Sequence, residues 1–233
     1  MGLGKLFTRR KKDKHRQRHQ NLCSVLNRHG VDLFLDVGAN VGQTGRGLRE
    51  GGYGGRIISV EPVKSCHDKL TAAAKDDPLW DVAGRCAAGE SEGSVEIAVS
   101  LATDLSSLSA PTQALLATLP KAEEAQRETV PMRRIDGMFA DEIAGARRTV
   151  LKIDTQGHDM AALRGAEGVM DKLHGVQTEM SLLPLYEGET LYLDILNYLH
   201  GKGFRPYLLT DKTFSKQLDR QLQLDGLFMR DAA

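Results

Sequence analysis

Apolar runs in this sequence are short. None approaches the roughly 18 consecutive residues that a membrane-crossing helix needs, and the basic N-terminus leads into no apolar signal core. Net charge is missing as well. The 31 Lys and Arg match the 31 Asp and Glu, so the overall balance gives no reason to expect a nucleic-acid partner. Cysteine is scarce: Cys23, Cys66 and Cys86 are odd in number, scattered, and never spaced like metal ligands, which reads as free thiols in a reducing cytoplasm. Internal repeats are absent too. Together these absences set the expectation of a soluble cytoplasmic protein.

What is present is enough chain, 233 residues, for one α/β domain with a substantial core. The neutral total hides one local excess. Lys5, Arg9, Arg10, Lys11, Lys12, Lys14, Arg16 and Arg18 stand against a single acid, Asp13, beside the apolar Leu3, Leu6 and Phe7. Residues 1–30 therefore read as a basic arm leading into a helix, with Leu22, Val25 and Leu26 on its apolar edge, and residues 31–233 as the main domain. Membrane contact through residues 1–18, solvation, and self-association into a homo-oligomer are the roles this arm leaves open.

From Val31 onward, short apolar runs alternate with helical stretches. The runs are Val31–Val37, Arg56–Val60, Val82–Ala88, Val150–Ile153, Gly175–Met180, Phe204–Leu209 and Gly226–Met229. Between them, residues 158–173 and 189–200 carry apolar residues with a period near that of a helix. This alternation predicts right-handed crossovers and a mostly parallel sheet, closed by an antiparallel C-terminal hairpin. Ser94–Ser100 reads as an added strand, and residues 102–127 as a polar, mobile segment on the substrate side.

The sharpest motif is Asp36-Val37-Gly38-Ala39-Asn40-Val41-Gly42-Gln43, which lies between an apolar strand and a helix. Glycines let such a loop turn and approach a ligand, and the helix start offers free N–H groups. The spacing is not the dinucleotide pattern GxGxxG. Asp36, two residues before Gly38, would repel a pyrophosphate and attract the ammonium of a methionine moiety. Glu61, at the end of the second run, is placed to accept ribose hydroxyls. Asn40 tolerates left-handed backbone and can donate to a carboxylate.

With DVGANVGQ at 36–43, VEP at 60–62, AAGESEGSV at 87–95, LKIDTQGHD at 151–159 and TEMSLLPLYEG at 178–188, the chain resembles the FkbM family of methyltransferases. The resemblance implies a Rossmann-like class I methyltransferase fold with a seven-stranded sheet. It also implies transfer of a methyl group from S-adenosylmethionine (AdoMet) to a hydroxyl, commonly of a glycan, glycolipid or glycosylated natural product. Asp36, Gly38, Ala39, Asn40, Gly42, Glu61, Pro62, Cys86 and Ala87 are the residues expected around the cofactor. Small-molecule acceptors other than sugars are the alternative, followed by an NAD-dependent oxidoreductase or a non-catalytic binding module.

A sugar hydroxyl is a poor nucleophile at neutral pH, so the chemistry calls for a base or a divalent ion. Asp154 and Glu179 end two strands on the expected cofactor side and are the candidate ligands for Mg²⁺, with His158 the candidate base. Against this stand plainer roles: Asp154 capping the next helix, His158 as an exposed helix start, Glu179 in an ion pair. Tyr186 and Glu187 are candidates for contacting a sugar.

Overall fold

The computed structural model describes residues 3–231, with side chains from residue 16 onward. Membrane contact through residues 1–18 was expected from side chains that lie, except for Arg16–Arg18, outside the described residues. The chain opens with helix α1 (Leu3–Arg28), followed by β1 (Leu33–Val37), α2 (Gln43–Glu50), β2 (Arg56–Val60), α3 (Lys64–Ala74) and β3 (Trp80–Val82). Next come β4 (Ala87–Ala88), β5 (Gly93–Ser100), α4 (Gln113–Thr118), β6 (Glu124–Arg133), α5 (Ile135–Gly145), β7 (Thr149–Ile153) and α6 (Asp159–Gly165). The last part holds β8 (Leu173–Ser181), α7 (Tyr192–Gly201), β9 (Phe204–Asp211), the short β10 (Phe214–Ser215) and β11 (Arg220–Gln221), and β12 (Gln223–Arg230).

Among the described residues the main sheet has seven strands in the order β3-β2-β1-β7-β8-β12-β9. The first five run parallel, and β12 inserts antiparallel between β8 and β9. β1 and β7 are buried along their whole length, as expected for central parallel strands covered on both faces. Alternation divides β1 between the two faces. Leu33, Leu35 and Val37 join Leu151, Ile153, Leu163 and Leu199 in one core, while Phe34 packs with Leu26, Leu48, Ile57, Leu70 and Trp80 in the other. Truncating the fully buried Phe34 to Ala would cost about 3–5 kcal/mol.

Several elements depart from the sequence reading. The run Val82–Ala88 is not one strand: Gly84 and Arg85 carry the chain from β3 to β4, which belongs to a second sheet ordered β4-β6-β5. The helical period over 158–173 breaks after Gly165 into a 3₁₀ turn at Glu167–Lys172, and Leu173 already begins β8. A Cβ on Gly165 would stand 2.1 Å from the Gly89 carbonyl oxygen, so the helix ends where two backbones touch. Residues 102–127, expected as a mobile segment, hold α4 and the first residues of β6. Leu115 and Ala122 are buried against Leu185, Tyr186 and Leu222. Leu101 N–H donates to the Glu123 carbonyl at 3.0 Å and Ala102 N–H to that of Lys121 at 2.9 Å, closing the base of this insertion between β5 and β6.

Candidate functional site

The glycine loop after β1 owes its shape to three left-handed residues, Gly38 (φ 75°), Asn40 (φ 48°) and Gly42 (φ 85°). Gly38 and Ala39 N–H both donate to the Val60 carbonyl at 3.0 Å, which ties the loop to the end of β2. A Cβ on Gly38 would fall 1.9 Å from the Asp154 carbonyl oxygen, so only glycine lets the ends of β1 and β7 come together.

Glu61 is clamped beside the loop. Its Oε2 accepts from Asn40 N–H at 2.8 Å and its Oε1 from Val63 N–H at 2.9 Å. Burial pushes its carboxyl up to about 7, with these two hydrogen bonds and Lys152 pulling the other way. A cavity of about 430 Å³ opens over this end of the sheet. Gly38, Ala39, Asn40, Glu61, Pro62, Cys86 and Ala87, all expected around a cofactor, line it.

Asp36 and Gly42 are not among the lining residues. Gly42 starts α2 and faces Leu70 and Trp80. Asp36 is fully enclosed, and its carboxylate meets the ammonium of Lys152 at 2.8 Å rather than any ligand. The cause is register: Asp36 and Lys152 are paired positions on adjacent parallel strands. The charge expected to attract a methionine ammonium is already matched inside the protein.

At the other end of the cavity a second cluster gathers around Lys212, which follows β9. Its Nζ contacts Glu179 closely, stands 3.4 Å from Asp154 Oδ2 and 3.6 Å from Asp225 Oδ1. Glu179 and Asp225 are opposed positions across the β8–β12 ladder, so their side chains leave the same face. Gln223 also donates to Glu179. The Lys212 and Lys152 ammoniums and Gln156 hold the Asp154 carboxyl at about 2 against the opposing effect of burial, whereas burial raises that of Asp225.

The two expected Mg²⁺ ligands do converge on a cation, but that cation is Lys212. The Asp154 carboxylate stands 3.4 Å from this ammonium and that of Glu179 closer, so both are already matched by a cation, while Mg²⁺ would have to draw their oxygens to about 2.0–2.1 Å around one point. Among the described residues no group of three or more His, Cys, Asp or Glu is arranged to hold a metal ion. The residues present do not fit Mg²⁺.

The turn after β7 links the two ends. Gln156 is left-handed (φ 50°) and Gly157 follows at φ 86°. Such backbone costs of order 1–3 kcal/mol and persists only where the surroundings impose it. Gln156 Nε2 donates to Asp154 Oδ1 at 2.6 Å, and its carbonyl accepts from Ser107 Oγ at 2.6 Å. Tyr186 Oη stands 3.1 Å from Gln156 Oε1 and 3.0 Å from the Leu105 carbonyl.

Tyr186 is thus buried and structural rather than a stacking surface, and Glu187 is exposed. Its neighbour Glu189 closes this loop instead, accepting from Ser181 Oγ at 2.6 Å and Leu185 N–H at 2.7 Å. The tight turn also carries His158 away: its half-buried ring lies beside Gly89, and it is absent from the cavity lining. Burial lowers its pKa. Lys152, Gln156, Lys212, Gln223 and Asp225 were not singled out from sequence, although all line the cavity.

No curated protein matches the chain. Among solved structures, the methyltransferase domain of bacterial CtHen1 superposes with a TM-score of 0.50 at 10% identity, covering 93% of this chain and 98% of that one. Magnesium protoporphyrin IX methyltransferase from Synechocystis PCC 6803, solved with bound SAM, gives 0.50 at 10% identity, covering 93% of this chain and 80% of that one. At such identities the likeness is one of fold. The methyltransferase FkbM domain, in contrast, matches residues 36–206, well over half of the sequence. The chain belongs to the FkbM methyltransferase family.

Proposed function

We propose that the protein methylates a hydroxyl group of a sugar or similar polyol, with AdoMet as donor. The observation that carries this reading is the two-ended cavity. One end has the glycine loop and Glu61, suited to an adenosine moiety, and the other is a cluster of carboxylates, amides and an ammonium. Among the described residues no Phe, Tyr or Trp lines it, which disfavours flat aromatic acceptors and favours a group bound through many hydrogen bonds. That the Synechocystis methyltransferase carries bound SAM in the same fold supports the choice of donor.

When bound, AdoMet supplies a methyl group made electrophilic by its sulfonium. Glu61 and Asn40 orient the nucleoside end, and the Lys212 cluster receives the acceptor. For the acceptor oxygen to take that methyl group, leaving the sulfur as a neutral thioether, its hydroxyl proton would have to be removed, and the Asp225 carboxylate would accept it. Burial raises the Asp225 carboxyl, which suits a proton acceptor better than the strongly acidic Asp154.

Turnover of methyl-labelled AdoMet against sugars, glycolipids and phenols tests the assignment. Product with polyols and none with phenols is expected, and the reverse order would overturn it. Among the described residues no helix is long and apolar enough to cross a membrane. A separate proposal concerns membrane contact: Arg18 and Leu22 of α1 line the cavity, so the helix that carries the basic run begins its exit at the cavity rim and would hold the cleft near an anionic lipid surface.

A further inference from the structure

Among the described residues, Lys212 is the lysine that presents its ammonium to the acceptor end of the cavity. Lys152, the other lysine there, is 8% exposed and committed to Asp36, whereas the Lys212 side chain is 31% exposed. Three elements bring its counter-charges together: Asp154 follows β7, Glu179 lies on β8 and Asp225 on β12. An ammonium has three N–H donors. Asp154 accepts from one at 3.4 Å, Glu179 holds the ammonium in a close ion pair, and Asp225 at 3.6 Å stands beyond ordinary hydrogen-bond length. The third donor is left for a ligand oxygen, with the Asp225 carboxylate next to it.

We propose that Lys212 is the acceptor-holding cation of this enzyme, occupying the position at which a metal-dependent enzyme would place a divalent ion. Resting on the methyl-transfer reading above, this assigns Lys212 a role in the reaction itself. Its free N–H donates to the acceptor oxygen and fixes it for attack, and as the hydroxyl proton leaves for Asp225 the fixed positive charge offsets the negative charge developing on that oxygen. Glu179 and Gln223 are positioning residues in this scheme: Gln223 donates to Glu179, and Glu179 fixes the ammonium. The acceptor must then offer an oxygen lone pair, and a neutral polyol does so without adding negative charge to a site already rich in carboxylates.

The test combines the wild-type protein with two variants. Wild type should turn over at the same rate in EDTA as in millimolar Mg²⁺. It should also bind no Mn²⁺ in a spin-resonance titration, a readout that needs neither AdoMet nor an acceptor and so stands or falls apart from the methyl-transfer reading. Lys212→Gln should lower kcat at least 100-fold while AdoMet affinity, which also reports a folded site, stays within threefold. Lys212→Arg should recover part of kcat with a raised KM for the acceptor. A bound Mn²⁺ lost in Asp154→Asn, activity abolished by EDTA, or near-normal kcat in Lys212→Gln would each overturn the proposal. Should Lys212→Gln fail to fold, the wild-type EDTA and Mn²⁺ measurements still decide it.

Discussion

Lys152 and Asp36 are paired positions on adjacent parallel strands, and the lysine ammonium meets the enclosed carboxylate at 2.8 Å in the floor of the cavity. Beyond that ammonium, neither Asp36 oxygen has a hydrogen-bond partner among the described residues. The carboxylate in turn raises the lysine pKa against the cost of burial. Removing one member should be far worse than removing both, since a lone buried charge has nothing to offset its lost hydration. Lys152→Met is expected to lower stability by about 3–5 kcal/mol in urea denaturation. The double variant Lys152→Met/Asp36→Asn should regain most of that, and simple additivity of the two single variants would argue against the coupling.

Glu61 makes stability pH-dependent. Its carboxyl stands at about 7 in the folded protein against an ordinary 4.5. Between those values the folded form binds more protons than the unfolded chain, so stability falls as pH rises through that window. The loss amounts to about 3 kcal/mol for this group. Thermal melts of the ligand-free protein at pH 4.5 and pH 8 should show a smaller difference in Glu61→Gln than in wild type. The same variant should weaken AdoMet binding by about 1–3 kcal/mol in calorimetry.

Gly38 and Gly52 offer a matched comparison. Both have positive φ, but a Cβ on Gly38 would strike the Asp154 carbonyl while one on Gly52 would meet nothing within 4 Å. Gly52→Ala should cost about 1–2 kcal/mol from backbone conformation alone and leave AdoMet affinity unchanged. Gly38→Ala should cost more and abolish AdoMet binding. Equal effects of the two on binding would show that the close approach at Asp154 does not shape the pocket.

The proton route separates Asp225 from His158. Asp225→Asn is expected to lower kcat by about 100-fold or more, and His158→Ala to leave it within threefold, because the imidazole stands outside the cavity lining. Steady-state kinetics on any accepted polyol distinguishes them.

For the basic run, vesicle co-sedimentation is the measure. Wild type should pellet with anionic vesicles at low salt and be released by high salt. Deleting residues 1–14, which leaves Arg18 in place, should abolish pelleting without changing turnover of a soluble acceptor. Equal pelleting of the deletion variant would assign the run another role.

The alternation of strands and helices and the glycine loop were legible because they are local. A strand, a glycine loop and a helix occupy a few consecutive residues, and Glu61 directly follows the next strand, whose residues pair with those of β1. β6 was missed because its first six residues are exposed or partly so, giving no apolar rhythm until Val130. The cluster around Lys212 was half legible. Asp154 and Glu179 announce themselves at strand ends, but Lys212, Gln223 and Asp225 join them only once β12 has slid between β8 and β9, a placement no short window records. His158 misled for the opposite reason: it is close in sequence to Asp154, yet the left-handed pair Gln156–Gly157 turns the chain away between them.

The insertion between β5 and β6 is pinched shut at its base by Leu101–Glu123 and Ala102–Lys121, while Thr103–Leu108 line the cavity. Its two ends are fixed by the ladder, and Leu115 and Ala122 pack it against Leu185, Tyr186 and Leu222. This part of the cavity wall is therefore a self-contained cassette. A grafted segment of different length or side chains would reshape the wall met by the acceptor, while the glycine loop, Glu61 and the buried Asp36–Lys152 pair continue to serve as an unchanged chassis.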